Sequence, residues 1–236
     1  METVAGPISV DAVLRGGNRR VERVVVGSRR PKRIERTMAM AGDLGVPVVE
    51  VDDSQLDALA DRNGGIVAEV GERRFLDPGE LWGLDPVPFI AHLDGIEDPF
   101  NFGQSVRTLF AAGCTGILLA ERNWMTATAT VTRSSAGATE LMPMAVQPVG
   151  EAVDAAESLG AKVVATSDRS EHDVHDVDLS GPLLVLFGGE KRGVTRSVLG
   201  RVEAVRIPYG RRFPRSLGTV AATSVVAFEV LRQRSG

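Results

Sequence analysis

Residues 182–189 read PLLVLFGG, five apolar side chains in a row between a proline and two glycines. An unbroken apolar run of this length is typical of a strand covered on both faces, as strands of parallel sheets are. Patterns of strands and helices alternate on its N-terminal side, and such alternation predicts an α/β layer fold. A final helix is predicted from about Thr219 to Arg234. Further strands are predicted at residues 88–95, 116–120, 144–149, 161–167 and 204–209.

The N-terminal third shows the same alternation on a smaller scale. Helices are predicted at residues 7–17, 31–45 and 53–65, and strands at residues 21–27, 46–51 and 65–70, from their apolar periodicity and their Pro, Asp and Gly boundaries. A segment rich in Pro, Gly and acidic residues follows at 76–88, which is typical of a linker. We therefore predict two domains, residues 1–85 and residues 86–236.

Composition excludes several classes of protein. With 236 residues, 43% hydrophobic and 25% charged, the chain is expected to be a soluble globular protein rather than a disordered one. It has no run of ~18 apolar residues that could span a membrane, and its N-terminus does not resemble a secretory signal. A single cysteine, Cys114, allows no internal disulfide and fits a reducing compartment. We expect a cytoplasmic protein.

Positive charge is concentrated in two segments although the formal net charge is −4. Residues 15–36 hold nine Lys or Arg against two Glu, and residues 191–215 hold eight Lys or Arg against one Glu. Two basic fields on an otherwise acidic chain favour attraction to a polyanion, since phosphate contacts are local. The alternative is two solvated faces with no ligand.

Three polar or glycine-rich loops follow predicted strands, at residues 94–103, 188–193 and 208–218. Ligands of open parallel sheets bind beyond the carboxyl ends of the strands, so we expect these loops to converge. The first contains Asn101 and Arg107 in the pattern Asn-x-Gly-x-x-x-Arg. Asn both donates and accepts hydrogen bonds, and Arg offers a fork of donors suited to phosphate. An N-cap Asn with a surface Arg is the alternative.

The other two loops carry their own polar groups. FGGEKRGV places Glu190 between two glycines and two basic residues, and lacks the spacing of a phosphate-binding loop of nucleotide hydrolases. IPYGRRFPRSLG places basic residues and Ser216 between a strand and the last helix. Taken singly, each loop could be a turn with solvated charges. Tyr209 and Phe213 either stack on a splayed base or pack against the sheet.

Taken together and in this order, the three loops resemble the three motifs of the SpoU/TrmH family of RNA ribose 2′-O-methyltransferases, part of the SPOUT superfamily. The resemblance runs over residues 88–234, and the segment TRSSAGATELMPMAV also resembles the family's Ser-Ala-Gly-Ala stretch. The first 80 residues are similar, more loosely, to the ribosomal-protein-like RNA-recognition domain that many members carry in front.

The resemblance implies a parallel sheet whose C-terminal part forms a deep trefoil knot, S-adenosyl-L-methionine as cofactor, no metal, and a homodimer that methylates RNA. The front domain favours rRNA over tRNA as the substrate; neither DNA nor a membrane is an expected partner. By motif match, the following residues are implied as cofactor-binding: Thr166, Gly188, Ile207 and Leu217. The following are implied as catalytic: Asn101, Arg107, Glu190 and Ser216.

The chain departs from the family pattern in the third motif. Tyr209 stands where the family has Met, and Gly218 stands where it has Asn. Gly cannot form the hydrogen bonds of an Asn side chain, so a second hypothesis is an RNA-binding protein that has lost methyl transfer. A third is a small-molecule α/β enzyme. His172 and His175 lie among acidic residues, but their spacing does not fit zinc and a solvated loop is expected.

Overall fold

The structure, a computed structural model, describes residues 1–29, 31–120 and 128–236. The N-terminal sheet has four strands in the order β1-β4-β2-β3, with β2 and β3 parallel and the other pairs antiparallel. Its strands are β1 (Glu2–Ala5), β2 (Arg19–Gly27), β3 (Val48–Val51) and β4 (Ile66–Arg73). Strand β1 is missing from the predictions, because a four-residue segment shows no periodicity of its own and is defined by its pairing with distant β4.

Three helices accompany this sheet: α1 (Pro7–Gly16), α2 (Glu35–Asp43) and α3 (Asp53–Leu59). Helix α1 has Pro at its first position, where the missing N–H costs no helical hydrogen bond. Helix α3 begins with a capping box formed by Asp52 and Gln55. These boundary signals are the ones the sequence predicts, and the small α/β front domain is confirmed.

The C-terminal sheet has six strands, all parallel, in the order β10-β8-β9-β5-β6-β7. The strands are β5 (Phe89–Asp94), β6 (Gly116–Leu119), β7 (Met144–Val146), β8 (Lys162–Thr166), β9 (Leu183–Gly188) and β10 (Glu203–Val205). The apolar run 183–187 forms β9, in which every side chain is buried. Strands β9 and β5 are the two central strands, so the prediction of a parallel sheet covered on both faces is confirmed.

Seven helices surround this sheet in the described residues: α4 (Pro78–Trp82), α5 (Pro99–Ala111), α6 (Thr128–Ser134), α7 (Ala138–Leu141), α8 (Val149–Ser158), α9 (Arg196–Leu199) and α10 (Thr219–Arg234). The bounds of α10 agree with the prediction. The sequence predicts mostly helix over residues 130–142, and the structure has two helices there, because Ala136 and Gly137 take positive φ and separate α6 from α7.

The sequence predicts a helix over residues 103–113, but α5 starts four residues earlier, at Pro99. Pro99 occupies the first turn, and the Asp98 side chain accepts a hydrogen bond from the Asn101 N–H at 2.8 Å. Asn101 therefore belongs to the first turn of the helix rather than to the preceding loop. The Asp-Pro pair is a recognised start signal, so the sequence contained the information.

The segment 76–88 is packed against the second sheet. The Leu76 N–H donates to the Met144 carbonyl at 2.9 Å, and Leu81 of α4 is fully buried. The domain boundary near residue 85 stays a prediction, as does the knot. Cys114 packs as a small buried group, with burial raising the pKa of its thiol to about 12. Among the described residues, no helix combines the length and hydropathy of a membrane-spanning segment.

Candidate active site

A cavity of about 1310 Å³ opens beyond the carboxyl ends of β8, β9 and β10. Its walls are the loops at residues 188–196 and 205–219. The expected convergence of the second and third loops is thus observed. Six of the eight residues predicted for the site line this cavity: Thr166, Gly188, Glu190, Ile207, Ser216 and Leu217.

Glycines let the loops around the cavity pass in close contact. A Cβ on Gly188 would lie 2.2 Å from the carbonyl carbon of Gly193, and a Cβ on Gly189 would lie 1.9 Å from the carbonyl oxygen of Gly95. Real Cβ atoms do not approach other atoms so closely, so any side chain would push these loops apart. Gly189 is therefore required by the packing of the first loop on the second, and Gly188 by the close return of the second loop on itself.

Asp94 ties the same two loops together and was not singled out as a site residue. Its Oδ2 accepts a hydrogen bond from the Thr195 N–H, and its carbonyl oxygen accepts one from the Gly189 N–H, both at 2.7 Å. The residue is buried. A carboxylate directly after an apolar strand was the only signal in the sequence. Asp94 holds the Gly-rich loop in place rather than facing the cavity.

Asn101 and Glu190 meet at the end of the sheet. Asn101 Nδ2 donates to Glu190 Oε1 at 2.7 Å, across 89 residues of sequence. A second link joins the same loops, with Lys191 Nζ 2.6 Å from Glu97 Oε2. Both groups of that second pair are exposed, and exposed ion pairs contribute little to stability. The first and second sequence motifs are thus brought together by Asn101 and Glu190.

Arg107 is separated from this pair. It is exposed, and it is absent from the residues that line the cavity. Asn101 and Arg107 are six positions apart on one helix, which places them roughly 120° apart around its axis. Arg107 instead shares an exposed stripe of α5 with Phe110 and Ala111. The structure of one chain therefore does not bring Arg107 to the other predicted catalytic residues.

Tyr209 has a role that the sequence did not indicate. Its hydroxyl oxygen accepts a hydrogen bond from the Leu217 N–H at 2.9 Å, so the side chain closes the third loop. Its ring lies 6.2 Å from the ring of Phe213 in a tilted arrangement. Both rings are exposed, which does not support packing against the sheet. The loop therefore presents two aromatic faces together with three exposed arginines, Arg211, Arg212 and Arg215.

Gly218 occupies the N-cap position of α10 with an extended backbone, φ −60° and ψ 150°. A Cβ there would meet nothing within 4 Å, so the backbone does not require glycine. The neighbouring Thr219 hydroxyl donates to the Gly188 carbonyl at 3.4 Å. Thr166 donates its hydroxyl to the Leu186 carbonyl at 3.1 Å. Two hydroxyl groups thus hold the strand that ends at the cavity.

The basic field of the front domain is smaller than the residue count suggests. Five of its arginines pair with carboxylates: Arg15, Arg19, Arg20, Arg23 and Arg29. Lys32, Arg33 and Arg36 are exposed near the start of α2 and remain available to phosphate. Among the described residues, no group of three or more His, Cys, Asp or Glu side chains is arranged to hold a metal ion.

Two protein families match this chain, one in each of the two parts seen in the structure. Residues 88–228 match the SpoU rRNA Methylase family. The chain belongs to this family. Residues 3–76 match a second family, described as RNA 2′-O ribose methyltransferase substrate binding, and we call this part the substrate-binding domain and the remainder the methylase domain.

Some relatives span nearly the full length of this chain, and others span only part of it. A 23S rRNA (guanosine-2′-O-)-methyltransferase RlmB from Pseudomonas putida is 30% identical, over 99% of this chain and 97% of the relative. The crystal structure of an AdoMet-bound rRNA methyltransferase from Sinorhizobium meliloti is 25% identical, with a TM-score of 0.80 over 98% of this chain and 87% of that chain. A structure concerning 2-OH methylation of C/U34 on tRNA is 27% identical, with a TM-score of 0.58 over 64% of this chain and 99% of that chain.

Family membership confirms the predicted activity, S-adenosylmethionine-dependent methylation of RNA ribose 2′-hydroxyl groups, and the predicted cofactor. The residues present fit that cofactor. The cavity combines apolar side chains, including Ile207 and Leu217, with glycine backbone and with polar groups such as Thr166. An adenosine with a charged amino acid tail needs this mixture of apolar walls and hydrogen-bonding groups.

Proposed function

We propose that the protein methylates the 2′-hydroxyl of a guanosine in 23S rRNA, in the cytoplasm. The relative from Pseudomonas putida carries that activity in its name and matches this chain from end to end. The tRNA-related structure, by contrast, matches only 64% of this chain, although the match covers almost the whole length of that structure. The substrate-binding domain is therefore a feature that supports rRNA rather than tRNA as the substrate.

The observation that carries the proposal is the Asn101–Glu190 pair beside a glycine-walled cavity. Gly188, Ile207 and Leu217 would hold S-adenosylmethionine, largely through backbone groups, with Thr166 at the edge. When bound, this cofactor supplies a methyl group already activated on a sulfonium. The remaining tasks are to place the ribose hydroxyl in line with that methyl group and to ease the loss of its proton.

Protein side chains perform those remaining tasks. Glu190, held by the Asn101 amide, and Ser216 would bind the ribose hydroxyls. A guanidinium offers five hydrogen-bond donors and no acceptor, so Arg107 serves as an electrostatic group rather than as a base. It would hold the target phosphate and stabilise negative charge that develops on the hydroxyl oxygen.

Arg107 would reach such a site if a second chain completed it. The exposed stripe of α5 that carries Arg107 also carries Phe110, and α10, which packs on α5, exposes Val225 and Phe228. Exposed apolar patches on two adjoining helices mark an interaction surface. We assign this surface to a homodimer, which would place Arg107 at the boundary between two chains.

The test is incubation of the protein with methyl-labelled S-adenosylmethionine and total RNA from cells that lack its gene. Label that survives alkali as a 2′-O-methyl dinucleotide is expected, and it should map to a guanosine in 23S rRNA. Arg107→Ala should abolish transfer and leave cofactor binding nearly intact. Loss of cofactor binding in this variant would place Arg107 in the wrong pocket, and label in tRNA alone would contradict the proposed substrate.

A second candidate function, RNA binding without methyl transfer, is favoured by one observation, the absence of a side chain at Gly218. Cofactor binding with no label in any RNA would support it. Gly218→Asn tests the cause directly, because the backbone at this position accepts a side chain without a clash. Under the RNA-binding hypothesis this variant should gain transfer, whereas under the leading proposal the unaltered protein is already active.

A further inference from the structure

A carboxylate is buried where the two domains meet. Glu140, at the end of the methylase domain's α7, is 1% exposed. Its Oε2 accepts a hydrogen bond from Arg19 Nε of β2 at 3.1 Å, and its Oε1 accepts one from Arg73 Nη2 of β4 at 2.6 Å. Thr132 of α6 donates to Oε1 at 3.2 Å. One carboxylate of the methylase domain is therefore clamped by two arginines of the substrate-binding domain.

The clamp continues on both sides of the boundary. Arg19 Nη1 donates to Glu2 Oε2 at 2.8 Å, and Arg19 Nη2 donates to Thr128 Oγ1 of the methylase domain at 3.2 Å. Asn18 Nδ2 donates to the Glu140 carbonyl oxygen at 2.9 Å. The positive charges of the two arginines, Arg19 and Arg73, balance the negative charges of the two glutamates, Glu2 and Glu140. The Arg73 side chain is 10% exposed, and this burial lowers its pKa.

Glycines fix the distance between the same elements. A Cβ on Gly16, at the end of α1, would lie 1.8 Å from the Glu140 carbonyl oxygen. A Cβ on Gly137, which has φ +84°, would lie 2.5 Å from Ala12 Cβ. Helix α1 thus touches α7 at Glu140 and the turn before α7 at Gly137, and neither point has room for a side chain. The domains fit together in one relative position.

Helix α7, which carries Glu140, and the preceding helix α6 also pack on α5, the helix of Asn101. A Cβ on Gly103 of α5 would lie 1.9 Å from Ser134 Oγ and 2.7 Å from the Val131 carbonyl oxygen, both of α6. Gly103 is two residues from Asn101. A continuous path of packed groups therefore links the substrate-binding domain to the side chain that holds Glu190.

We propose that Glu140 is a positioning residue for the RNA substrate. It locks the substrate-binding domain onto the methylase domain in one orientation, so that RNA held by the first presents its ribose at the Asn101–Glu190 pair. A buried ion pair gains little net stability over apolar residues of similar volume, but its directional hydrogen bonds specify a single docking geometry. This inference rests on the proposed methylation of rRNA.

The test uses the full-length protein with Glu140→Gln, which keeps the side-chain volume and removes the charge that both arginines share. We expect the KM for 23S rRNA to rise by about tenfold or more, because small misplacements of a substrate are costly. The dissociation constant for S-adenosylmethionine should stay within about twofold, since the cofactor cavity lies at residues 166–222. Small-angle scattering should show a larger radius of gyration.

Two further variants make the test specific. Glu157→Gln, the same change at an exposed carboxylate that pairs with Arg201 at 3.2 Å, should leave all three quantities unchanged. Arg73→Lys keeps the charge but loses the planar fork, and it should raise the KM for 23S rRNA as Glu140→Gln does. This variant replaces Glu140→Gln in the test if Glu140→Gln fails to fold. An unchanged KM and radius of gyration in these clamp variants would overturn the proposal, as would parallel loss of cofactor binding.

The proposed function can fail separately. If the unaltered protein does not methylate 23S rRNA, that proposal is wrong. The role of Glu140 is then decided by scattering and by the dissociation constant for 23S rRNA in filter binding. A radius of gyration and an RNA affinity that are the same in the unaltered protein and in Glu140→Gln would overturn it.

Discussion

At the residue scale, Tyr209 departs from the family pattern in the third loop, and its hydroxyl makes a hydrogen bond within that loop. It accepts the Leu217 N–H at 2.9 Å, and Leu217 lines the cavity. Tyr209→Phe removes this hydrogen bond and keeps the ring. A typical hydrogen bond contributes about 1 kcal/mol, so we expect a several-fold weaker affinity for S-adenosylmethionine, measured by isothermal titration calorimetry.

The loss of a loop constraint should be distinguishable from a general loss of stability. Tyr209 is part of an exposed loop, so the midpoint of thermal unfolding of Tyr209→Phe should stay close to that of the unaltered protein. Phe213→Leu, which removes the partner ring but not the hydrogen bond, serves as the control and should retain cofactor affinity. Equal affinity in Tyr209→Phe and the unaltered protein would show that the hydroxyl does not shape the loop.

Single residues also show where sequence reasoning ends. The convergence of Asn101 and Glu190 could be anticipated because both follow strands of a parallel sheet, whose carboxyl ends lie at one edge, but that the two strands are neighbours could not be read from the sequence. The contact between Tyr209 and Leu217 could not, because a side chain that bonds back across its own loop leaves no periodic pattern. The side of α5 on which Arg107 lies relative to Asn101 can be predicted only if both residues are assigned to the helix. A predicted start at residue 103, four residues too late, leaves Asn101 outside it.

At the element scale, the packing of α5 on α6 depends on Gly103. The hypothetical Cβ at 1.9 Å from Ser134 Oγ and 2.7 Å from the Val131 carbonyl oxygen means that Gly103→Ala must push the helices apart. Overpacking of this kind costs typically about 1–3 kcal/mol. We expect that loss in the free energy of unfolding in urea, together with reduced methyl transfer because Asn101 shifts with the helix.

Gly150→Ala is the matched control for this prediction. Gly150 lies in α8, and a Cβ there meets nothing within 4 Å. Ala has the higher helix propensity, so Gly150→Ala should leave the free energy of unfolding unchanged or raise it by up to about 1 kcal/mol. If Gly103→Ala behaved like Gly150→Ala, the close contact between α5 and α6 would not exist in solution.

The C-terminal end of α10 is held by a charged cluster around Glu229. Its carboxylate accepts hydrogen bonds from Arg232 and Gln233, with His175 Nδ1 at 3.2 Å. The hydrogen bond from Arg232 is the main cause that lowers the pKa of Glu229 from 4.5 to about 2. The charged form therefore stabilises the folded protein above about pH 4.5, and this contribution is lost as the pH falls through about 2.

Glu229→Gln tests this assignment. A shift of this size corresponds to at most about 3 kcal/mol, and we expect a loss of about 1–3 kcal/mol in the free energy of unfolding at pH 7. Denaturant unfolding of both proteins at pH 7, 5, 4 and 3 should show the difference shrinking below pH 4.5. Asp154→Asn, at an exposed ion pair, should show almost no difference, and a gap that is independent of pH would contradict the assignment.

Elements were predictable where their pattern is local. The apolar run that forms β9 and the long helix α10 appear in the structure as predicted. Strand β1 and the division of 130–142 into α6 and α7 were missed for different reasons. Strand β1 exists because β4 pairs with it. The division follows from positive φ at Ala136 and Gly137, where Ala12 of the other domain lies against the turn.

At the scale of the whole molecule, the strand order β10-β8-β9-β5-β6-β7 was beyond sequence reasoning. Each strand signals its own burial but not its neighbour. Asp94 of β5 and Gly189, directly after β9, are 95 positions apart in the sequence, yet a backbone hydrogen bond joins them, and no periodic pattern predicts this. The docking of the domains was equally hidden, because Glu140, Arg19 and Arg73 look like ordinary surface charges when read in sequence.

The homodimer is the prediction that belongs to this scale. Phe110, Val225 and Phe228 are 41%, 36% and 48% exposed on two helices that pack on each other. Burying them against a second copy removes apolar surface from water and is favourable. Sedimentation at micromolar concentration should therefore give twice the 25.1 kDa mass of one chain, and Phe228→Glu should give a monomer because it would bury an unpaired charge.

Transfer activity connects the dimer to the catalytic site. If Arg107 acts at the boundary between two chains, the monomeric Phe228→Glu protein should lose methyl transfer although Phe228 does not line the cofactor cavity. Leu159→Glu, the same change at a 59% exposed side chain after α8, should remain dimeric and active. A monomeric unaltered protein that still transfers methyl groups would contradict the dimer and would require Arg107 to reach the ribose by a movement of α5 within one chain.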